Sequence, residues 1–180
     1  MPIDLTTTNT SGTGSLTLTG TNAVGETSTL NYTTNLALND SANEVDGSLP
    51  MASSSSDSGW IYRPTLANDG DTTTNYWVSA PRDLSRSPQQ LQVDLGSSVT
   101  LGRVTMIPRV GFGPKSYTVE TSDDQTRWTT RATVVNGADG TISSTFTPVR
   151  ARFVRIDITA SYGSGPPTWT QVKELQVFAR

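Results

Sequence analysis

The chain has 180 residues, with 15 glycines, 10 prolines and neither cysteine nor histidine. The lack of His and Cys excludes disulfide bonds, zinc–thiolate sites and the Ser-His-Asp and Cys-His groups of nucleophilic catalysis. With 13 basic and 16 acidic side chains the net charge is −3, too small to steer a polyanion, and we expect no nucleic-acid partner.

Residues 1–45 differ from the rest because they contain neither Trp nor Phe. Two runs that alternate apolar and polar residues, Leu16–Thr19 and Thr29–Thr34, flank a turn at Asn22–Gly25 and predict a β-hairpin. An isolated hairpin is marginal in water. We therefore interpret the segment as the remnant of an immunoglobulin-like or fibronectin-like domain, or alternatively as packed against the next domain, with the polar stretch Asn39–Gly47 as linker.

Residues 46–180 are predicted to form a second, all-β domain. Turn residues separate short strand-like runs, and no long apolar pattern has the helical period, so we expect almost no helix. Val154, Ile156 and Ile158 alternate with polar neighbours, as in a half-buried strand. We place strands near residues 91–94, 101–107, 116–122, 130–135, 141–147, 152–159 and 172–178.

An acidic loop lies within Leu66–Thr74, where Asp69, Asp71 and Thr74 surround a turn at Gly70. Two carboxylates, a hydroxyl and the main-chain carbonyls freed by a tight turn suit a hard cation such as Ca²⁺. The alternative interpretation is a solvated Asp-Gly turn, which is common in proteins.

Further motifs follow this loop in order: Trp77, Gln92–Gly96, Ala151–Ile156 and Glu174–Phe178. The ordered set resembles the discoidin family, also called the coagulation factor 5/8 type C family, and is closest to the family 32 carbohydrate-binding modules of bacterial secreted glycan-active enzymes. The resemblance covers roughly residues 48–180. It implies an antiparallel jelly-roll β-sandwich of the galactose-binding type, with one structural calcium ion and a ligand site on loops at one end.

The resemblance also implies which groups hold the calcium ion. They are the Leu66 carbonyl, Asp69, Asp71, Thr74, the Lys173 carbonyl and Glu174. Because Glu174 lies near the last strand, the ion would join the first and last parts of the domain. The alternative interpretation of Glu174 is an exposed carboxylate at a strand edge. The chain departs from the family pattern by one extra residue between Thr74 and Trp77, where Asn75–Tyr76 stand.

Aromatic and cationic side chains in the loops predict a sugar-binding surface, because a ring stacks on the C–H face of a pyranose while Arg groups bond its hydroxyls. The candidates are Trp60, Tyr62, Arg82, Arg109, Phe112, Tyr162 and Trp169. Arg109 matches the sugar-contacting Arg of the relatives. Arg82 lies where many relatives have a ligand-binding His, which this chain lacks, so galactose-type specificity is not implied. Tyr162 could equally be a loop anchor, and Trp77 and Trp128 are predicted to be packing residues.

The sequence therefore predicts a non-catalytic carbohydrate-binding module that binds terminal mono- or oligosaccharide units and targets a covalently linked catalytic domain. The resemblance implies secretion, and we expect a monomer. Asp123–Asp124 are neighbours on one predicted turn and do not face each other across a cleft, which disfavours a glycosidase. The alternatives are an adhesion or membrane-surface module and a structural spacer. The few Lys residues make membrane binding the weaker alternative.

Overall fold

Nine β-strands and one short 3₁₀ helix make up the described part of the chain. The computed structural model describes residues 12–21, 27–36, 44–45, 47, 49–57, 61–163, 165 and 167–179. The elements are β1 (Gly12–Thr21), β2 (Thr27–Leu36), β3 (Met51–Ser53), the 3₁₀ helix (Pro64–Ala67), β4 (Trp77–Val78), β5 (Gln89–Pro108), β6 (Pro114–Ser122), β7 (Thr129–Val134), β8 (Ile142–Ser161) and β9 (Gln171–Phe178). The chain divides into two compact units, Met1–Asp40 and Ser41–Arg180.

The first unit contains the predicted hairpin. Strands β1 and β2 pair antiparallel along their whole length, from Gly12 opposite Leu36 to Thr21 opposite Thr27. The predicted turn at Asn22–Gly25 and most of the predicted linker lie outside the described residues. The origin of this hairpin in a preceding domain stays a prediction.

The second unit is a two-layer antiparallel sandwich in which β5 and β8 each serve both layers. The first half of β5 pairs with the second half of β8, and β6, β7 and β3 complete that layer. The second half of β5 pairs with the first half of β8 and with β9, which in turn pairs with β4. One cluster of buried hydrophobic side chains contains residues of both layers. The predicted all-β antiparallel fold is confirmed.

Two long strands replace four of the predicted short ones. The strands predicted at 91–94 and 101–107 are halves of β5, and those at 141–147 and 152–159 are halves of β8. The pairing of β5 with β8 shifts register between Asp94 and Val99. The strand bends there without ending, and the polar residues of the bend resemble a loop in the sequence.

Helix content is as low as expected, with the 3₁₀ helix as the one helical segment in the described residues. None of the described helical structure has the length and apolar character needed to cross a bilayer. The very short strands β3 and β4 were not predicted, because two or three residues carry no readable alternation.

The buried face of β8 follows the predicted alternation. Val154, Ile156 and Ile158 are fully buried, whereas Arg155 between them is only partly buried. Trp77 is also 0% exposed, which confirms its predicted role in packing. These side chains fill the centre of the sandwich, so the ends of the strands remain for function.

Replacing Leu91 by Ala is expected to lower the free energy of unfolding by about 2–5 kcal/mol, because Leu91 is fully buried in β5 and its loss leaves a cavity. Urea denaturation measures the change. Val135→Ala is the control, since Val135 is 71% exposed and should change stability by less than about 0.5 kcal/mol. Equal effects of the two substitutions would contradict the core described above.

Candidate functional site

Loops from distant parts of the chain meet at one end of the sandwich. Pro108, the last residue of β5, pairs with Val172 at the start of β9, and Pro114 at the start of β6 pairs with Ser161 at the end of β8. Trp77 in β4 also pairs with Val172. The described residues of the segments 61–76, 109–113, 162–163 and 167–170 therefore lie at the same end, and we call them together the rim.

Main-chain hydrogen bonds dock two of the rim loops on the strands. The Phe112 amide donates to the Arg109 carbonyl at 3.0 Å, and the Gln171 amide donates to the Phe112 carbonyl at 2.9 Å. The Tyr162 amide donates to the Gly113 carbonyl, also at 2.9 Å. The loop after β5 is thereby tied to both β9 and the loop after β8.

Ser161 and Gly163 bring the loops still closer. The Ser161 hydroxyl lies 2.9 Å from the Trp169 carbonyl and 3.1 Å from the Phe112 carbonyl, and it donates to one acceptor at a time. A Cβ atom at Gly163 would stand 2.7 Å from the Trp169 carbonyl oxygen, closer than real contacts allow. Glycine is required there by this close approach.

Phe112 and Trp169 form the aromatic centre of the rim. Their rings stack nearly parallel, with centroids 6.3 Å apart and an interplanar angle of 9°. Both side chains are partly exposed. Two of the predicted sugar-binding residues, 57 positions apart in the sequence, are thus in direct contact.

Arg109 lies between this pair and a second pair of rings. Its guanidinium carbon is 5.1 Å from the Phe112 ring centroid and 5.2 Å from that of Tyr76. Nη1 donates to the Gln171 side chain at 3.2 Å and to the Tyr76 hydroxyl at 3.3 Å. Nε and Nη2 have no hydrogen-bond partner among the described residues. The exposed guanidinium is therefore fixed by Nη1, while the N–H groups of Nε and Nη2 can donate to a ligand.

Tyr76 in the rim and Gln171 at the start of β9 are site residues that the sequence does not predict. Tyr76 stacks on Tyr62 with a centroid separation of 5.7 Å and an interplanar angle of 13°. The one signal for Tyr76 in the sequence is the departure at Asn75–Tyr76 from the pattern of the family that the sequence resembles. Nothing in the sequence marks Gln171, whose role depends on a contact with Arg109 across the rim.

The structure brings the other predicted residues into different surroundings. Arg82 pairs by its backbone with Thr168, next to Trp169, but its side chain donates to the Ser87 hydroxyl. The Tyr162 hydroxyl donates to the Gly137 carbonyl, so Tyr162 anchors its loop. Trp60 lies outside the described residues.

The predicted acidic loop is held by its own hydrogen bonds. The Asp71 carboxylate accepts five, from the amides of Thr73, Thr74 and Asn75 and from the hydroxyls of the two threonines. These bonds, led by that from the Thr73 hydroxyl, hold the pKa of Asp71 well below its usual range. The Asn75 side chain donates to Asp69 at 3.0 Å.

Glu174 reaches this loop from β9 and is buried, so the alternative of an exposed carboxylate at a strand edge is wrong. It is 2% exposed and accepts a hydrogen bond from the Gly70 amide at 3.3 Å. Burial, with a smaller contribution from the charges of Asp69 and Asp71, raises the pKa of Glu174 to about 7. No Lys or Arg of the described residues forms an ion pair with it.

The donor chemistry of this cluster fits Ca²⁺, since every group is an oxygen and the buried carboxylate has no cationic partner in the described part of the chain. In the described part of the chain, however, no group of three or more His, Cys, Asp or Glu side chains is already arranged to hold a metal ion. The Asp71 carboxylate faces hydroxyls and amides of its own loop. To coordinate an ion, the Asp71 carboxylate would therefore have to break some of these hydrogen bonds and turn an oxygen toward the ion.

The predicted turn at Asp123–Asp124 is confirmed as a structural feature. Asp124 accepts hydrogen bonds from the amides of Thr126 and Arg127 at 2.9 and 2.8 Å. This turn follows the far end of β6, a nine-residue strand about 30 Å long. Asp123 and Asp124 therefore lie at the end of the sandwich opposite the rim.

A family model described as the F5/8 type C domain matches residues 50–175. No curated protein matches the chain.

Solved structures of carbohydrate-binding modules are similar to the second unit. Chitosan-binding module 1 of a chitosanase/glucanase from Paenibacillus sp. IK-5 is 31% identical, covers 76% of this chain and 98% of its own, and gives a TM-score of 0.66. Module 2 of that enzyme, solved in complex with chitotriose, is 25% identical, with coverage of 76% and 99% and the same TM-score of 0.66.

A module from Clostridium perfringens, CpGH89CBM32-5, was solved in complex with GalNAc-β-1,3-galactose. It is 20% identical, covers 77% of this chain and 100% of its own, and gives a TM-score of 0.64. At this identity the likeness shows the fold alone.

Gly70→Ala is expected to destabilise the protein by about 1–2 kcal/mol, because Gly70 has φ +79°, a left-handed backbone conformation that Ala adopts with strain. A Cβ atom at this position would meet no neighbour, so steric contact adds nothing to the loss of stability. Gly70→Asn should cost less, since Asn tolerates this conformation. Urea denaturation of both variants in EDTA measures the difference. An Ala variant as stable as the Asn variant would contradict the turn geometry.

Proposed function

This chain belongs to the F5/8 type C domain family, and from that premise we propose that it is a non-catalytic carbohydrate-binding module. The observation that carries the proposal is Arg109, held between two aromatic side chains at the exposed rim, beside Trp169. Rings offer apolar faces to the C–H groups of a sugar, and the guanidinium offers donors to its hydroxyls.

The bound ligand in this proposal is a mono- or oligosaccharide. The similar Paenibacillus modules are described as chitosan-binding, and one was solved with chitotriose, which makes amino sugars the first class to test. A shallow surface with few hydrogen-bonding groups gives a small polar ligand little free energy per atom, so we expect dissociation constants in the micromolar to millimolar range.

Weak binding of this kind is useful to an attached enzyme. A module that holds one part of a glycan raises the effective concentration of substrate at a covalently linked catalytic domain. We propose this targeting role in a secreted, glycan-active protein. It is supported by the similar modules of the chitosanase/glucanase and by the lack of His and Cys, which leaves the module without the usual nucleophile and base pairs.

We propose in addition that a calcium ion stabilises the fold. The residues that would hold it are the Leu66 carbonyl, Asp69, Asp71, Thr74, the Lys173 carbonyl and Glu174. A bound cation would supply positive charge beside the buried Glu174 carboxylate and tie the acidic loop to β9. The support for this role is the burial of Glu174 beside two other carboxylates.

A second candidate function, attachment to a membrane or protein surface, is favoured by one observation. Ile61 and Val110, which flank the rim aromatics in the chain, are 63% and 69% exposed. Exposed apolar side chains at a loop tip can insert into a lipid interface. Sedimentation with anionic liposomes separates this function from sugar binding, because only lipid attachment would carry the protein into the pellet.

Trp169→Ala and Arg109→Ala are each expected to weaken saccharide binding at least tenfold, because each removes a central contact of the rim. Isothermal titration calorimetry against the best ligand from a glycan array measures the loss. Trp128→Ala is the matched control, since Trp128 packs against Arg155 at the opposite end of the sandwich.

Three results would contradict the proposed function. The folded protein could bind no saccharide of the array, the two rim variants could bind as well as the parent, or the Trp128 variant could lose affinity to the same extent. Circular dichroism of every variant confirms that the sandwich is folded, so that a loss of binding reports on the rim itself.

Calcium at a hundred times its dissociation constant is expected to stabilise the protein by about 2.7 kcal/mol. This corresponds to a rise in Tm on the order of 10 °C. Glu174→Gln should remove the calcium-dependent rise, because it replaces the buried carboxylate. Asp123→Asn, at the opposite end, is the control and should keep it. Melting curves in EDTA and in excess Ca²⁺ that coincide for the parent protein would exclude the ion.

A further inference from the structure

The stacked pair Tyr62–Tyr76 extends the aromatic surface beyond Arg109. Arg109 contacts both the Tyr76 ring and the Phe112 ring, at almost equal distances of 5.2 and 5.1 Å. Two aromatic pairs, Tyr62–Tyr76 and Phe112–Trp169, are therefore connected through one guanidinium group. We call these five side chains the aromatic row.

The row is continuous. The ring centroids within each aromatic pair are 5.7 and 6.3 Å apart, and the guanidinium carbon lies 5.1 and 5.2 Å from the nearest ring centroid of each pair. Each step is comparable with the width of one pyranose ring. One sugar unit can cover only part of such a row, whereas consecutive units of a chain can contact both aromatic pairs and place a hydroxyl or linkage oxygen near Arg109.

The Tyr62 end of the row is accessible and has polar groups of its own. Tyr62 is partly exposed, and its hydroxyl has no hydrogen-bond partner among the described residues. The preceding Ile61 is 63% exposed. An apolar face with a free hydroxyl at one edge suits a sugar unit, which has C–H groups on one face and hydroxyls around its ring.

The second aromatic pair is fixed before any ligand binds. The Val78 amide donates to the Tyr62 carbonyl at 3.4 Å, which ties this segment to β4. Asn75, next to Tyr76, donates its amide to Asp71 at 3.2 Å and its side chain to Asp69 at 3.0 Å. A preformed surface loses little conformational entropy on binding, so added contacts translate into affinity.

We propose that the aromatic row binds several consecutive units of an extended oligosaccharide chain, with Phe112–Trp169 and Tyr62–Tyr76 contacting different units on the two sides of Arg109. The inference rests on the proposed function and goes beyond it, because a site for one terminal unit would need only one of the two pairs. The residue that creates the extension is Tyr76, which contacts both Arg109 and Tyr62.

The test is the dependence of affinity on chain length, measured by calorimetry with chito-oligosaccharides of one to six units and with a matching galacto-oligosaccharide series. We expect affinity to rise about threefold to tenfold from the monosaccharide to the longest chain of the series that binds. Tyr62→Ala should remove this rise, so that the loss of affinity is largest for the longest chains and smallest for the monosaccharide. Tyr62 is the residue to change because it contacts Tyr76 and not Arg109.

Two further variants serve as controls. Tyr62→Phe keeps the ring and should retain most of the dependence on length, which separates stacking from the hydroxyl contact. Trp169→Ala should weaken binding of every chain length. As a second measurement, NMR amide shifts near Tyr62 should respond to the longer chains but not to the monosaccharide.

Affinity that is independent of chain length would overturn the inference and leave the proposed function intact. An equal loss for all lengths in Tyr62→Ala would overturn it as well, since Tyr62 would then belong to the central site or only support it. Absence of binding in both series and on a glycan array would overturn the proposed function and this inference together.

Discussion

Contact between two loops at one end of the sandwich determines where the candidate ligand-binding side chains lie. The Phe112 carbonyl accepts a hydrogen bond from the Gln171 amide, and the Ser161 hydroxyl lies within hydrogen-bond distance of carbonyls from both loops. Because the backbones meet this closely, the rings of Phe112 and Trp169 are brought into contact. A surface that is ordered in advance costs a weak-binding ligand little entropy.

Arg109 connects this docked pair with the rest of the rim. Gln171 and Tyr76 accept hydrogen bonds from one guanidinium nitrogen, and two ring centroids lie 5.1 and 5.2 Å from the guanidinium carbon, yet the residue remains exposed. An exposed cation with two nitrogens unpaired among the described residues can exchange water for the hydroxyl groups of the proposed ligand at low cost. The arrangement favours a hydroxyl-rich ligand over a purely apolar one.

The acidic loop and the aromatic row are physically linked through Asn75. Its amide and side chain bond to Asp71 and Asp69, and the next residue is Tyr76. An ion bound near Glu174 would therefore act on a segment that also positions one end of the row. The same hydrogen bonds of Asn75 therefore stabilise the acidic loop and fix the position of Tyr76 in the aromatic row.

The sequence by itself determined the all-β class, the hairpin and the oxygen-rich loop, because each follows from local alternation, turn residues or composition. The sequence predicts shorter strands in place of β5 and β8, because the polar residues at the bend of a long strand resemble those of a loop. Only the tertiary structure brought Tyr62, Tyr76, Arg109, Phe112 and Trp169 into one row and left Tyr162 as an anchor. Their contacts depend on how β4, β5, β8 and β9 pair across the sandwich, and no local pattern in the chain encodes that pairing.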